Sequence, residues 1–274
     1  MELAMRSSIC RREEEEEEAK QQAQVFKHSF AFVDSLVLKC AIELGIFDSI
    51  HATGKPKISL STLSATLPLQ PSSINPRRLQ SLLRYLVHMG LLRNEAEEEY
   101  SPTELATALL KEGEKSLVTW ALAIVDEVDM DCWHDLSKCC YSPASGPTVF
   151  ESKHGMNVWE FSETNEEVNR LINEAMASDT MQAMPAFIHG CGEDVFKGVG
   201  SVVDVGGGTG MAMRMVADAF PHLNCTVFDL PHVVATAPSY PNVSFVGGDM
   251  FESATNADAV LLKYYSPILT YLDD

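Results

Sequence analysis

The sequence has 274 residues, 46% hydrophobic and 22% charged, which suits one or two globular domains with a sizeable core. Its net charge of −19, six of it in the run Glu13 to Glu18, argues against nucleic acid and anionic membrane as partners, because both carry negative charge. No apolar stretch reaches the ~20 residues of a membrane span, and seven cysteines without a C-x-x-C fit neither a disulfide framework nor a zinc site.

Residues 1–24 read as a solvated, mostly disordered acidic tail, since blocks of like charge repel one another. They lack the apolar core of a secretory signal, and the glutamates are unlike a transit peptide, so a cytoplasmic chain with free thiols is expected. From Val25 the apolar positions Phe26, Phe30, Val33, Val37, Cys40, Ala41 and Leu44 recur every three or four residues. That is one stripe on a long helix, with Gly45 as its stop. "SLSTLSATL" predicts a short helix. Asn75 and Pro76 predict the cap and first position of another, which Gly90 ends. "LLRNEAEEEYSPTEL" then reads as two strands around a charged turn.

Three helices followed by a hairpin is the winged-helix order, and such units often bind DNA through the third helix. Here Arg77, Arg78 and Arg84 on that helix read as a solvated face, because Glu95, Glu97, Glu98 and Glu99 occupy the wing. The first helix is too apolar to stay uncovered, which points to packing against another chain. Residues 115–190 are helical by periodicity, interrupted by "YSPASGPTVFESKHGMNVWEF", whose Pro, Gly, His and aromatics suit a pocket-lining loop.

"SVVDVGGGTGMAMRMVADAF" predicts a strand, a glycine turn over Gly206–Gly210 and a helix, the first unit of a doubly wound sheet. Glycines let a ligand approach the backbone, and the helix start presents free N–H groups. The dinucleotide spacing would need glycine where Met211 stands, and no Walker lysine is present. A second strand ends at Asp229, 21 residues after Gly208, where a carboxylate can accept from ribose hydroxyls. A third ends at Asp249 and Met250, suited to an adenine amino group and ring face. An adenosine with a cationic sulfonium tail fits this set better than NAD, with Asp204 as negative charge near the tail.

"VVDVGGGTG", "FDLPHVV", "GGDMFE" and "ADAVLLK" resemble successive motifs of the plant S-adenosylmethionine-dependent O-methyltransferases, which methylate phenolic hydroxyls. "VLKCAIELGIFDSI", "LRYLVHMGLL" and "YSPTELATALL" are similar to that family's winged-helix dimerisation domain. The resemblance runs from about Val25 to Lys263. It implies an α/β fold: a dimerisation domain over 25–112, then an incomplete Rossmann-like methyltransferase domain over 113–274. It implies a homodimer and a small phenolic substrate, with no metal. It places Gly207, Asp229, Leu230, Asp249, Met250 and Lys263 around S-adenosylmethionine, and Met130, Trp133, Phe150, His154 and Met176 along the phenolic pocket.

The likeness stops after Lys263. Where the family carries its general-base histidine, four residues after that lysine, this chain has Pro267, with Ile268 at the position of the following aspartate. Proline has no titratable group, so the family's catalytic residue is absent from that position. His134 and Asp135, being adjacent on a helix, point apart and do not replace it. The expectation is a chain truncated after its fourth strand, inactive as it stands. The alternative function is an inactive cofactor-binding or dimer-partner subunit.

Overall fold

The computed structural model describes residues 2–70, 73–113, 115–141, 146–253 and 255–263. The chain divides into two units, Met1–Ala106 and Thr107–Asp274.

The first unit begins with α1 (Glu2–Ser29) and α2 (Ala31–Glu43). The stretch read as a tail is helical, in keeping with the helix-forming Glu, Lys, Gln and Ala that dominate it, and residues 15–32 are exposed throughout. The single helix expected over 25–44 is two, broken at Phe30, whose backbone leaves the helical region. Gly45, at φ +67°, turns the chain into α3 (Ile46–Ala52), a helix where the sequence showed only a short apolar segment. β1 (Ile58–Ser59) and α4 (Leu60–Thr66) follow, with Ser59 Oγ accepting from Thr62 N–H. In α5 (Pro76–His88), Asn75 caps as predicted, accepting from the N–H groups of Arg77 and Arg78, an arrangement typically contributing ~1 kcal/mol. Its buried Leu79, Leu83 and Leu86 form the inward stripe, and Tyr85 donates to Asp34 of α2 at 2.8 Å. β2 (Leu92–Ala96) and β3 (Glu99–Pro102) are the predicted hairpin, and β1 adds a third antiparallel strand beside β3.

The second unit is helical before it is a sheet. α6 (Val118–Ala123), α7 (Glu127–Trp133), α8 (Leu136–Cys139), α9 (Val149–His154) and α10 (Val158–Thr164) are short. Two of them start from reciprocal caps, Thr148 with Glu151 and Asn157 with Glu160. α11 (Glu166–Phe187) is the long element, held to the segment before α6 by bonds from Ser178 to the Ser116 carbonyl and from Gln182 to the Lys115 carbonyl. After a wide turn at 188–192 and α12 (Glu193–Val195) the sheet begins. Its parts are β4 (Ser201–Val205), α13 (Met211–Ala219), β5 (Asn224–Asp229), α14 (Pro231–Thr236), β6 (Val243–Gly247) and β7 (Ala259–Leu261).

The four strands are parallel in the order β6-β5-β4-β7, so the first lies beside the fourth. Val202 and Val227 pack against Ala212, Met213 and Val216 of α13, and Met184 of α11 joins the same core. Asp258 fixes the register of β7: one carboxylate oxygen accepts from the N–H groups of Gly200 and Ser201 and from the Ser201 hydroxyl, all within 3.0 Å. The chain adds β5 and β6 on one side of β4 and then crosses back to place β7 on the other, and ligands of such sheets bind outside the C-terminal ends of the strands at this switch point.

Candidate functional site

Each strand of the parallel sheet delivers one of the sequence-predicted groups to the same edge. β4 runs into Gly206–Gly210, which closes on itself through Gly210 N–H to the Gly207 carbonyl at 3.0 Å. Gly206, Gly208 and Gly210 have positive φ. At Gly210, at φ +84°, a Cβ would also stand 2.8 Å from the Phe245 ring, so both conformation and space demand glycine. Around Gly206 nothing lies within 4 Å of where a Cβ would stand, so the outer side of the turn is open.

Asp229, at the end of β5, holds the turn from the side. One carboxylate oxygen accepts from Gly208 N–H at 2.6 Å and the other from Leu230 N–H at 2.7 Å. Each oxygen keeps a second lone pair for a ligand hydroxyl. Burial raises this carboxyl, while the two N–H groups and His232 act to lower it. Asp249 follows β6 and is exposed; one of its oxygens accepts from Phe251 N–H at 2.9 Å. Met250 beside it is half-buried. Lys263, just past β7, pairs with Asp179 of α11 at 2.7 Å, both side chains 19% exposed. The lysine assigned to the cofactor is therefore engaged by a helix that the sequence reading did not link to it.

Asn173, also on α11, completes that side: its Oδ1 is 3.7 Å from where a Cβ on Gly208 would stand. The sequence reading singled out neither Asn173 nor Asp179. The available signal was a carboxylate inside an otherwise amphipathic helix, since such a group needs a partner when half-buried.

Of the five residues assigned to the phenolic pocket, Phe150 and His154 lie in contact. The rings of Phe150 and His154 of α9 meet at a tilt with 4.4 Å between centroids, and Phe161 of α10 closes the group at 4.9 Å from His154. Phe150 is only 2% exposed and packs with Cys132 and Val149. His154 reaches the Val128 carbonyl of α7 at 3.3 Å, and Lys153 pairs with Asp131 at 2.9 Å, which together bind α9 to α7. Met130 and Trp133 belong to that α7 helix. Met130 is half-buried and Trp133 exposed, and no ring contact links Trp133 to the aromatic group among the described residues. Met176 lies half-buried on α11. Pro267 lies outside the described residues.

Residues 133–266 match the O-methyltransferase domain family and residues 26–112 match the O-methyltransferase dimerisation domain family. The chain is 47% identical to a probable scoulerine-9-O-methyltransferase of Papaver somniferum, across 89% of this chain and 70% of that relative. It is 44% identical to (RS)-norcoclaurine 6-O-methyltransferase of Coptis japonica, across 88% of this chain and 69% of the relative. The crystal structure of human N-acetylserotonin methyltransferase in complex with SAM superposes with a TM-score of 0.71, with 22% identity over 87% of this chain and 69% of that one. This last likeness shows a shared fold.

Proposed function

The chain belongs to the plant S-adenosylmethionine-dependent O-methyltransferases, and from that premise we propose that its second unit binds S-adenosylmethionine at the β4–β7 edge beside a small phenolic acceptor. The cofactor supplies an electrophilic methyl group on a sulfonium sulfur. The chain's own residues bind and orient it. Asp229 accepts from the ribose hydroxyls, Asp249 and Met250 hold the adenine, and Gly207 and Leu230 offer backbone to the remainder. Lys263, with Asp179, forms the wall on the β7 side. The observation that carries this reading is Asp229 bonded across the glycine turn to Gly208 N–H, which sets a carboxylate and an open backbone turn side by side. The residues present fit the cofactor in charge as well: Asp204 is a 2% exposed acid that accepts no hydrogen bond among the described residues.

Calorimetric titration of the whole chain with S-adenosylmethionine tests this. Saturable binding of one cofactor per chain is the expected result. Tighter binding of NAD, or no binding of S-adenosylmethionine at millimolar concentration, would overturn the reading.

The acceptor follows from the family and from the aromatic group on α9 and α10. Met130, Trp133, His154 and Met176 would contact a flat phenol, with Phe150 supporting them from the core. Proton removal is a separate matter, because Pro267 occupies the position of the family's base. Two readings therefore share one cofactor site: an O-methyltransferase, and a cofactor-binding partner subunit that does not turn over.

The first unit serves association. Phe26, Phe30 and Phe32 are each more than half exposed, and Val25 and Leu36 extend the same apolar surface. A patch of this kind is normally covered by a partner, here a second copy of this dimerisation domain. Sedimentation of the full chain at tens of micromolar should give a dimer. The double variant Phe26→Asp, Phe30→Asp should sediment as a monomer with unchanged helical circular dichroism. A monomeric parent would count against the assignment.

A further inference from the structure

Two carboxylates close neighbouring strands of the sheet in opposite surroundings. Asp229 accepts from two backbone N–H donors, which act against the rise that burial imposes on it. Asp204 has none among the described residues, is 2% exposed, and lies so close under the turn that a Cβ on Gly207 would stand 2.8 Å from its Cγ. Facing it are Asp229 from β5 and Lys263 from beyond β7, the lysine already held by Asp179 of α11. A buried carboxylate without a donor and beside a like charge is costly to ionise. Burial first, then Asp229, push this carboxyl up to about 7, with Lys263 acting in the other direction.

Resting on the cofactor reading above, we propose that Asp204 is the residue by which the site prefers a cationic cofactor over its neutral product. Without the cofactor, Asp204 carries its proton in about half of the chains at pH 7. It releases its proton to solvent when the sulfonium cofactor is seated, and the resulting ion pair adds to binding. Methyl transfer turns the sulfonium into an uncharged thioether, so the product forfeits that attraction and the carboxylate takes a proton back from solvent. The amino-acid portion common to cofactor and product contributes equally to both, and only the sulfur charge differs.

The test is calorimetric titration of the whole chain with S-adenosylmethionine and with S-adenosylhomocysteine from pH 6 to 8, in buffers of different ionisation enthalpy. If only ionised Asp204 accepts the cation, affinity for S-adenosylmethionine rises about tenfold across that range, with about half a proton released at pH 7. Affinity for S-adenosylhomocysteine, which brings only the amino-acid portion common to both ligands and no sulfonium charge, rises less steeply over the same range. In Asp204→Asn the two ligands lose this difference in pH dependence. Equal pH dependence for both ligands in the parent chain, or a difference that survives in Asp204→Asn, overturns the proposal while leaving the cofactor reading intact. Failure of both ligands to bind at any pH overturns the two together.

Discussion

Asp229→Ala is expected to weaken S-adenosylmethionine binding by about 10²- to 10⁴-fold, because two charge-assisted hydrogen bonds to ribose, at roughly 1.5–3 kcal/mol each, are removed together. The same substitution strips Gly208 and Leu230 of the acceptor for their N–H groups, so the turn loses its lateral support as well. Asp229→Asn separates the two effects. Its amide has one oxygen and can satisfy only one of the two N–H donors, while its bulk preserves the turn. A loss in the asparagine variant intermediate between parent and alanine is the expected pattern. Thermal melting of both variants without ligand reports the cost to the fold, and calorimetry reports the cost to binding. An alanine variant that binds as tightly as the parent would remove Asp229 from the cofactor site.

What was readable in advance divides along a physical line. Features set by chemistry within a few residues were legible: Asn75 capping a helix that starts at Pro76, the hairpin around Glu97 and Glu98, and the glycine turn after β4. The doubly wound class of the sheet was legible too, because a glycine turn after one strand and acids at the ends of the next two are its pattern. Features set by packing between distant segments were not. Nothing local marks Asp258 as the acceptor of three bonds at the start of β4, or Asp179 as the partner of Lys263. The apolar period over 25–44 was seen, but its break at Phe30 was not, because both pieces keep the same periodicity. Phe150 has a side chain suited equally to a pocket wall and a core, and only its place between Cys132, His154 and Phe161 shows how much of it is core.

The second large effect concerns methyl transfer. A phenol attacks the sulfonium methyl only as its proton departs, and a positioned base typically contributes 10²–10⁴-fold to such a step. The resemblance puts that base where this chain has Pro267. Two described histidines of the second unit are engaged elsewhere: His154 makes tilted ring contacts with Phe150 and Phe161, and His232 lies 3.4 Å from the Ser162 hydroxyl. The expected turnover of this chain is therefore about 10²- to 10⁴-fold below that of a relative carrying histidine at the Pro267 position, with cofactor affinity retained. Methyl transfer from labelled S-adenosylmethionine to a panel of phenols measures it. The dependence on the acceptor distinguishes a missing base from a missing pocket. Without a base, the rate should climb steeply with phenol acidity and with pH until the phenol is ionised. A chain that lacks only acceptor contacts would show a raised KM and a flat dependence on acidity. Turnover matching that of the relative, on phenols that are neutral at the assay pH, would mean that another group in this chain takes the proton.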